Sequence, residues 1–123
     1  MNYTVSDYNG GTQNYTVTVR TPITRTELDQ LIADGEDVTG VDTSEIRDMS
    51  ELFKDYTSFN QNISSWDVSN VTDIREMFYY AAAFNQDITS WSDHIAETVQ
   101  HTDFSAGTCP LETSYHPYTS WDN

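Results

Sequence analysis

Two segments of the chain are nearly identical: FNQNISSW at residues 59–66 and FNQDITSW at residues 84–91. They lie 25 residues apart, and the same interval relates Phe53 to Phe78 outside them. A regular period of this length is typical of stacked repeats, in which each unit covers apolar surface of its neighbour. The sequence therefore predicts a repeating structural unit rather than a duplicated catalytic site.

The apolar residues within one unit predict its secondary structure. Residues 63–71 follow the pattern I-x-x-W-x-V-x-x-V, which falls within the leucine-rich repeat pattern. We expect a short strand at residues 66–68, then a turn, then a short helix at 73–80 (DIREMFYY). Asp48 and Asp73 are expected at helix starts, where a carboxylate accepts free amide N–H groups. The predicted fold class is an α/β solenoid, a short leucine-rich-repeat stack of strand–turn–helix coils.

Residues one period apart are expected to stack in columns. The pairs are Phe59 with Phe84 in the interior, Trp66 with Trp91, and Asn60 with Asn85. The two asparagine side chains are expected to hydrogen-bond turn backbone, because buried turns need their polar groups satisfied. A binding role for this pair is the minority interpretation.

The flanking segments predict how the stack begins and ends. Alternation in NYTVTVR and the turn signal Asn9-Gly10-Gly11 favour paired strands, with Tyr3 and Val5 on the partner strand. Thr24 and Glu27 form a capping box for an amphipathic helix. The predicted division is a β-strand segment at 1–21 and a solenoid at 22–123, with a helical cap at about 25–35 and a C-terminal cap at about 92–123.

Residues 49–91, MSELFKDYTSFNQNISSWDVSNVTDIREMFYYAAAFNQDITSW, resemble the BspA-like leucine-rich repeats of bacterial surface proteins. The preceding helix, TRTELDQLIADGEDV, resembles the N-terminal cap of that family. NYTVTV resembles the closing strand of bacterial Ig-like domains, so residues 1–21 are read as the tail of a preceding domain. The resemblance covers about residues 22–91 and departs from the family pattern after Trp91. It implies surface exposure and binding or adhesion, without a general enzymatic activity.

Charge and composition exclude several classes of partner. Five basic and twenty acidic residues give a net charge of −15, which repels nucleic acid and anionic membranes. No apolar run is long enough to cross a bilayer, and the first residues lack the features of a signal peptide. The single cysteine, Cys109, rules out an internal disulfide framework.

Candidate chemistry is weak in this sequence. Cys109, His116 and Asp122 are the residue types of nucleophilic catalysis, but their spacing matches no signature. Zinc ligation by the histidines and Cys109 lacks the usual close spacing. Calcium at Asp7–Gly10 or at 34–37 is the stronger metal hypothesis, although neither segment completes an EF-hand loop. No metal site, cofactor or enzymatic activity is expected, with ordered calcium as the alternative.

The candidate binding surface is an outward stripe of the predicted sheet. Stacking by one period aligns outward-facing positions in successive units, and small polar residues leave that face open. The residues expected to bind are Asp42, Asp67, Ser69, Ser92 and His94, with Tyr79 and Tyr80 as a second contact spot. The alternative is that the stripe is only solvated surface and the tyrosines only pack beneath the cap.

These observations together predict a surface-exposed, non-catalytic module for protein–protein contact or adhesion. The expected partner is a protein or cell-surface ligand with basic character, and neither nucleic acid nor membrane insertion is expected. The expected location is extracellular or on the cell surface, as a fragment of a longer exported protein. The alternatives are a structural spacer in a long surface protein and, less favoured, a cytosolic regulatory binder.

Overall fold

The computed structural model of the chain describes residues 2–9 and 13–121, with side chains from residue 21 onward. Strands β1 (Asn2–Asn9) and β2 (Gln13–Arg20) pair antiparallel in a two-stranded sheet. The backbone register pairs Val5 with Val17 and Tyr3 with Val19. The predicted turn at Asn9-Gly10-Gly11 lies outside the described residues at both of its glycines.

Helix α1 (Arg25–Ala33) follows the strands and begins at the predicted capping box. The Glu27 amide donates to Thr24 Oγ1 at 3.1 Å, and the Thr24 amide donates to Glu27 Oε1 at 3.0 Å. Leu28 and Ile32 are buried on the inner face. The chain leaves the helix through Gly35, whose φ of 71° is left-handed and suits glycine. A helix therefore lies where the sequence predicts one, at Arg25–Ala33.

The predicted α/β solenoid is wrong. Residues 34–121 contain no α-helix, and their only β pairing is a set of isolated bridges. Three short 3-10 helices occur, at Thr89–Asp93, Thr113–Tyr115 and Thr119–Trp121. The segment 73–80 is not helical, because Glu76 and Tyr80 have positive φ angles of 55° and 56°. The expected strand at 66–68 is also absent, and the coils consist of successive turns.

Alternate amides in these turns bond to the next repeat rather than along a helix. We number the repeats 36–60, 61–85 and 86–110. In the first repeat the amides of Met49, Glu51, Phe53 and Asp55 donate to carbonyls of the second repeat, each at 2.9 Å. In the second repeat the amides of Ile74, Glu76, Phe78 and Tyr80 donate to the third, at 2.8–3.0 Å. Amides between these positions close local turns, such as that from Met77 to the Ile74 carbonyl. Backbone groups are thus satisfied without regular secondary structure.

The core is an aromatic stack that runs through the repeats. Phe84 is fully buried and packs on Phe78 at 4.1 Å between ring centroids, and Phe59 packs on Phe53 at 4.0 Å. Phe59 and Phe84 lie 5.9 Å apart in nearly parallel planes. The predicted interior column of Phe59 and Phe84 is therefore present, although turns rather than helices carry it.

The repeat tryptophans occupy equivalent positions in the same core. Trp66 Nε1 donates to the Val38 carbonyl at 2.9 Å, and Trp91 Nε1 donates to the Ile63 carbonyl at 3.1 Å. Each indole thus ties its own repeat to the equivalent carbonyl of the unit before it. The predicted column of Trp66 and Trp91 agrees with this arrangement.

Candidate functional site

Part of the predicted stripe lines one open groove, which we call the acidic groove. Its volume is about 390 Å³. Three of the predicted binding residues, Asp67, Ser69 and His94, belong to it, and Asp93 adds a second carboxylate. The remaining lining residues are Ser64, Ser65, Trp66 and Ser90. The groove therefore presents carboxylate, hydroxyl and imidazole groups from two successive repeats.

A local turn fixes the carboxylate of Asp67. Its Oδ1 accepts hydrogen bonds from the Ser69 hydroxyl at 2.6 Å and from the Ser69 amide at 2.9 Å. The hydroxyl bond, the amide bond and, to a smaller extent, the charge of His94 lower the pKa of Asp67, against slight desolvation. Asp67 is exposed and remains ionised at neutral pH, so it offers a fixed negative charge to the groove.

The same turn recurs through the chain, and the sequence interpretation missed it. In each case the side chain of an Asp or Asn accepts both the amide and the hydroxyl of a Ser or Thr two residues later. One column of such turns consists of Asp37–Thr39, Asn62–Ser64 and Asp87–Thr89. The signal that could have found them is the motif [D/N]-x-[S/T] repeated at the period of the chain.

A second groove adjoins the first and consists largely of these turns. It has a volume of about 320 Å³ and shares Ser64 and Ser90 with the acidic groove. Its other lining residues are Asn62, Gln86, Asp87 and Thr89. The two grooves together form a continuous polar surface across the second and third repeats.

Asp42 and Ser92 do not line the acidic groove. The Asp42 carboxylate accepts the Ser44 amide at 2.9 Å, and its carbonyl accepts the Ile23 amide at 2.8 Å. Ser92 Oγ donates to the Thr89 carbonyl at 2.9 Å. Both residues are half-buried, so the predicted stripe is incomplete at its two ends.

Tyr79 and Tyr80 form a separate cluster and line neither groove. Their rings meet edge to face, with centroids 4.5 Å apart. Lys54 Nζ lies 5.3 Å from the Tyr79 ring centroid and forms ion pairs with Glu51 and Glu76 at 3.3 and 3.2 Å. The neighbouring Tyr80 hydroxyl, then desolvation, raise the pKa of Tyr79 above its usual value.

The asparagine pair makes the predicted backbone contacts. Asn60 Oδ1 accepts the Asn85 amide at 2.9 Å, and Asn85 Oδ1 accepts the Glu112 amide at 3.1 Å. Gln86 Nε2 also donates to Asn60 at both its carbonyl and its side-chain oxygen. These side chains therefore link one repeat to the next, which is a structural task.

The candidate nucleophile and metal ligands are engaged elsewhere. The imidazole of His116 is buried and bonds to Ser105 Oγ at 2.7 Å and to the Glu112 carbonyl at 2.9 Å. Cys109 Sγ donates to the Phe84 carbonyl at 3.8 Å. Asp122 lies outside the described residues. Both ring nitrogens of His116 are thus committed to groups other than the Cys109 thiol.

Among the described residues, no group of three or more histidine, cysteine, aspartate or glutamate side chains is placed to hold a metal ion. The zinc hypothesis and the calcium hypothesis at 34–37 therefore have no ligand set within that part of the chain. The calcium candidate at Asp7–Gly10 lies outside the residues whose side chains are described, and the absence of a cofactor stays a prediction. None of the described helices is long and apolar enough to cross a membrane.

A family model described as "Mycoplasma protein of unknown function, DUF285" matches residues 26–108. The chain belongs to the DUF285 family. The DUF285 match spans nearly all of α1 and of the three repeats, including both grooves and the tyrosine cluster. No curated protein and no solved structure matches the chain.

Proposed function

We propose that this DUF285 chain is a non-catalytic module that makes protein–protein contacts through the acidic groove. The observation that carries the proposal is that Asp67, Ser69 and His94 line one groove although they come from two repeats. Hydrogen bonds hold the Asp67–Ser69 turn, and the Thr43 hydroxyl of the preceding repeat donates to the Asp67 carbonyl, so these groups are in place before any partner arrives. Because little further ordering is needed, the groove suits specific contact.

The partner that fits this groove is a basic protein surface. Asp67 and Asp93 contribute two carboxylates to the groove, and the chain carries a net charge of −15. Several of its few cations are already paired, since Arg25 pairs with Asp29 and Arg75 with Asp73. Association with a basic surface is therefore expected to be fast at low ionic strength and to weaken as salt rises.

We further propose that the chain works on a bacterial cell surface, as part of a longer exported protein of the BspA-like kind. The DUF285 match and the repeated phrase FNQ[N/D]I[S/T]SW support this location. Adhesion is the form of protein contact that such a location favours.

A second candidate function is that of a spacer in a long surface protein. It is favoured by the use of polar side chains for contacts between repeats. Thr43 Oγ1 donates to the Asp67 carbonyl at 2.9 Å, and Asn70 Nδ2 donates to the Ser44 carbonyl at 2.6 Å. A polar face whose side-chain donors already bond to neighbouring repeats is explained by its structural role, without a ligand.

The test is the substitution Asp67→Asn, with Asp37→Asn as its matched control. Asn62 holds the same turn with Ser64 that Asp67 holds with Ser69, so asparagine preserves the turn and removes only the charge. Both variants lose one carboxylate from the same kind of turn, but only Asp67 lines the acidic groove. The probe is a decapeptide that alternates lysine and serine, titrated by NMR at low ionic strength.

Contact through the groove predicts that peptide-induced shifts concentrate at Ser69 and His94. It also predicts weaker binding in Asp67→Asn than in Asp37→Asn. Equal weakening in the two variants, with shifts spread over the whole acidic surface, would contradict the groove as a site. That result would favour the spacer.

A further inference from the structure

Each repeat contains two positions with a left-handed backbone. At the first position, Glu51, Glu76 and Asp103 have φ angles of 58°, 55° and 54°. At the second, four residues later in each repeat, Asp55, Tyr80 and Gly107 have φ angles of 65°, 56° and 82°. The left-handed conformation is therefore a regular feature of the turns, and it recurs whichever residue occupies the position.

Tyr80 is the one bulky residue at these six positions. Glycine adopts the left-handed region freely and aspartate tolerates it, but a large side chain there is strained. The second left-handed position is occupied by Asp55 in the first repeat and by Gly107 in the third, so the turn itself does not require an aromatic ring. Residues with a strained backbone cluster at ligand contacts, where the strain holds a side chain in the position that the contact needs.

The ring of Tyr80 is held at the surface instead of entering the core. The residue is 41% exposed, which is unusual for a large side chain in this structure. A Cβ added to Gly107 would lie 2.9 Å from Cγ, Cδ1 and Cδ2 of Tyr80. Because three ring atoms are equally close, the ring lies flat on the backbone of Gly107. The rings of Tyr79 and Tyr80 are nearly perpendicular, with centroids 4.5 Å apart, so Tyr79 limits the movement of the exposed Tyr80 ring.

Exposed aspartates flank the Tyr80 backbone in the repeats on either side. Asp55 occupies the equivalent position in the repeat before Tyr80, and its amide donates to the Tyr79 carbonyl at 2.9 Å. On the other side, the Tyr80 amide donates to Ala106, whose own amide bonds to the Asp103 carbonyl. Both aspartates are exposed, and neither belongs to the five ion pairs between described residues. The nearby Lys54 is already shared between Glu51 and Glu76.

We propose that Tyr80 anchors a second contact surface, separate from the acidic groove, that binds an arginine side chain of a protein partner. A guanidinium group stacks on an aromatic ring and donates to carboxylates in the same plane. Tyr80 supplies the ring, and Asp55 and Asp103 supply the carboxylates in the repeats on either side. A lysine ammonium is more strongly hydrated and lacks the planar fork, so arginine is the preferred occupant.

The test uses hexa-arginine and hexalysine peptides as probes, with the whole chain titrated by NMR and calorimetry. Tyr80→Phe keeps the ring, whereas Tyr80→Asn removes it and replaces it with a residue that accepts a left-handed backbone. Glu112→Gln is the charge control, because Glu112 is exposed and its described contacts are made by its backbone.

The proposal predicts that hexa-arginine shifts the Tyr80 ring resonances in the parent and binds more tightly than hexalysine. Tyr80→Asn is expected to weaken hexa-arginine binding about threefold to tenfold. Tyr80→Phe and Glu112→Gln are expected to stay close to the parent. The acidic-groove variant Asp67→Asn is expected to leave the Tyr80 ring shifts in place.

Two results would overturn the proposal. The first is hexa-arginine binding in Tyr80→Asn that equals that of the parent, with an unchanged melting temperature. The second is a parent chain saturated with hexa-arginine whose Tyr80 ring resonances do not move. The second result decides the question even if Tyr80→Asn folds poorly, because it needs only the parent.

Discussion

At the scale of single residues, the repeating device is an Asp or Asn that organises the turn after it. Asp48 and Asp73 were predicted to start helices, yet they accept the amides of Ser50 and Arg75 within turns, at 2.8 and 3.0 Å. A helix cap and a turn of this kind use the same oxygen and nearly the same amide. Local sequence therefore identifies the interaction without telling which backbone follows it.

These turns predict a loss of stability in acid. Bonds from the following hydroxyl and amide lower the pKa values of Asp37, Asp67 and Asp87 below the ordinary 3.8. Since the folded-state pKa is depressed, the stabilisation is present above about pH 4 and is lost as pH falls through the folded-state values. We expect the free energy of unfolding, measured in urea, to fall over that acid range.

The matched variant for this measurement replaces the same three aspartates with asparagine. Asn62 already forms the equivalent turn in the parent, so the triple variant keeps its turns without a titrating group. The free energy of unfolding of this variant is expected to fall less at acid pH than that of the parent. Identical pH profiles would show that the turns contribute nothing to acid sensitivity.

The hydrogen bond of the Trp91 indole N–H is expected to contribute to stability. Trp91→Phe removes the donor to the buried Ile63 carbonyl and leaves unfilled space at a fully buried site. The free energy of unfolding is therefore expected to fall by at least about 1–3 kcal/mol, the cost of the lost donor alone. Tyr118→Phe removes a hydroxyl donor to the Ile95 carbonyl from a half-buried site, where water can substitute, so a smaller loss is expected. Chemical denaturation measures both, and a Trp91→Phe variant as stable as the parent would contradict the role of the indole.

At the scale of elements, burial was predictable from sequence and backbone conformation was not. The sequence predicts a helix at residues 73–80 because Ile74, Met77 and Phe78 have helical spacing, and all three are buried. Successive turns reproduce that spacing, since each closes over three residues, as from Met77 to Ile74. The hydrogen bonds that distinguish these turns from a helix run to a repeat one period away. A short stretch of sequence therefore does not contain both partners of such a bond. The helix α1 was predictable because its capping box and its apolar face are both local.

The aromatic column predicts graded effects of truncation. Phe84 is fully buried between Phe78 and the neighbouring repeats, whereas Phe59 is 8% exposed and lines a small groove beside α1. Phe84→Ala is expected to lower the free energy of unfolding by about 3–5 kcal/mol. Phe59→Ala is expected to cost less, because solvent reaches that site. Thermal and urea unfolding compare the two, and a larger loss in Phe59→Ala would contradict the packing described.

At the scale of the whole molecule, stacking of the repeats creates the candidate site. The period alone predicted that Asp67, Ser69 and His94 share one surface, and they line one groove. Asp42 and Ser92 lie outside the groove and contact non-repeating segments: the Asp42 carbonyl accepts the Ile23 amide, and the Ser92 carbonyl accepts the Tyr118 hydroxyl. The period predicts contacts between repeats, but it does not predict contacts with segments outside them.

The central claim is that the repeats are joined through their backbones, which brings side chains from successive repeats to one surface. NMR scalar couplings across hydrogen bonds test it directly. We predict couplings from the Phe53 amide to the Met77 carbonyl and from the Phe78 amide to the Phe104 carbonyl, whose bonds measure 2.9 and 2.8 Å. In a strand–turn–helix coil the Phe78 amide would instead couple to the Ile74 carbonyl, four residues earlier. That coupling would contradict the account.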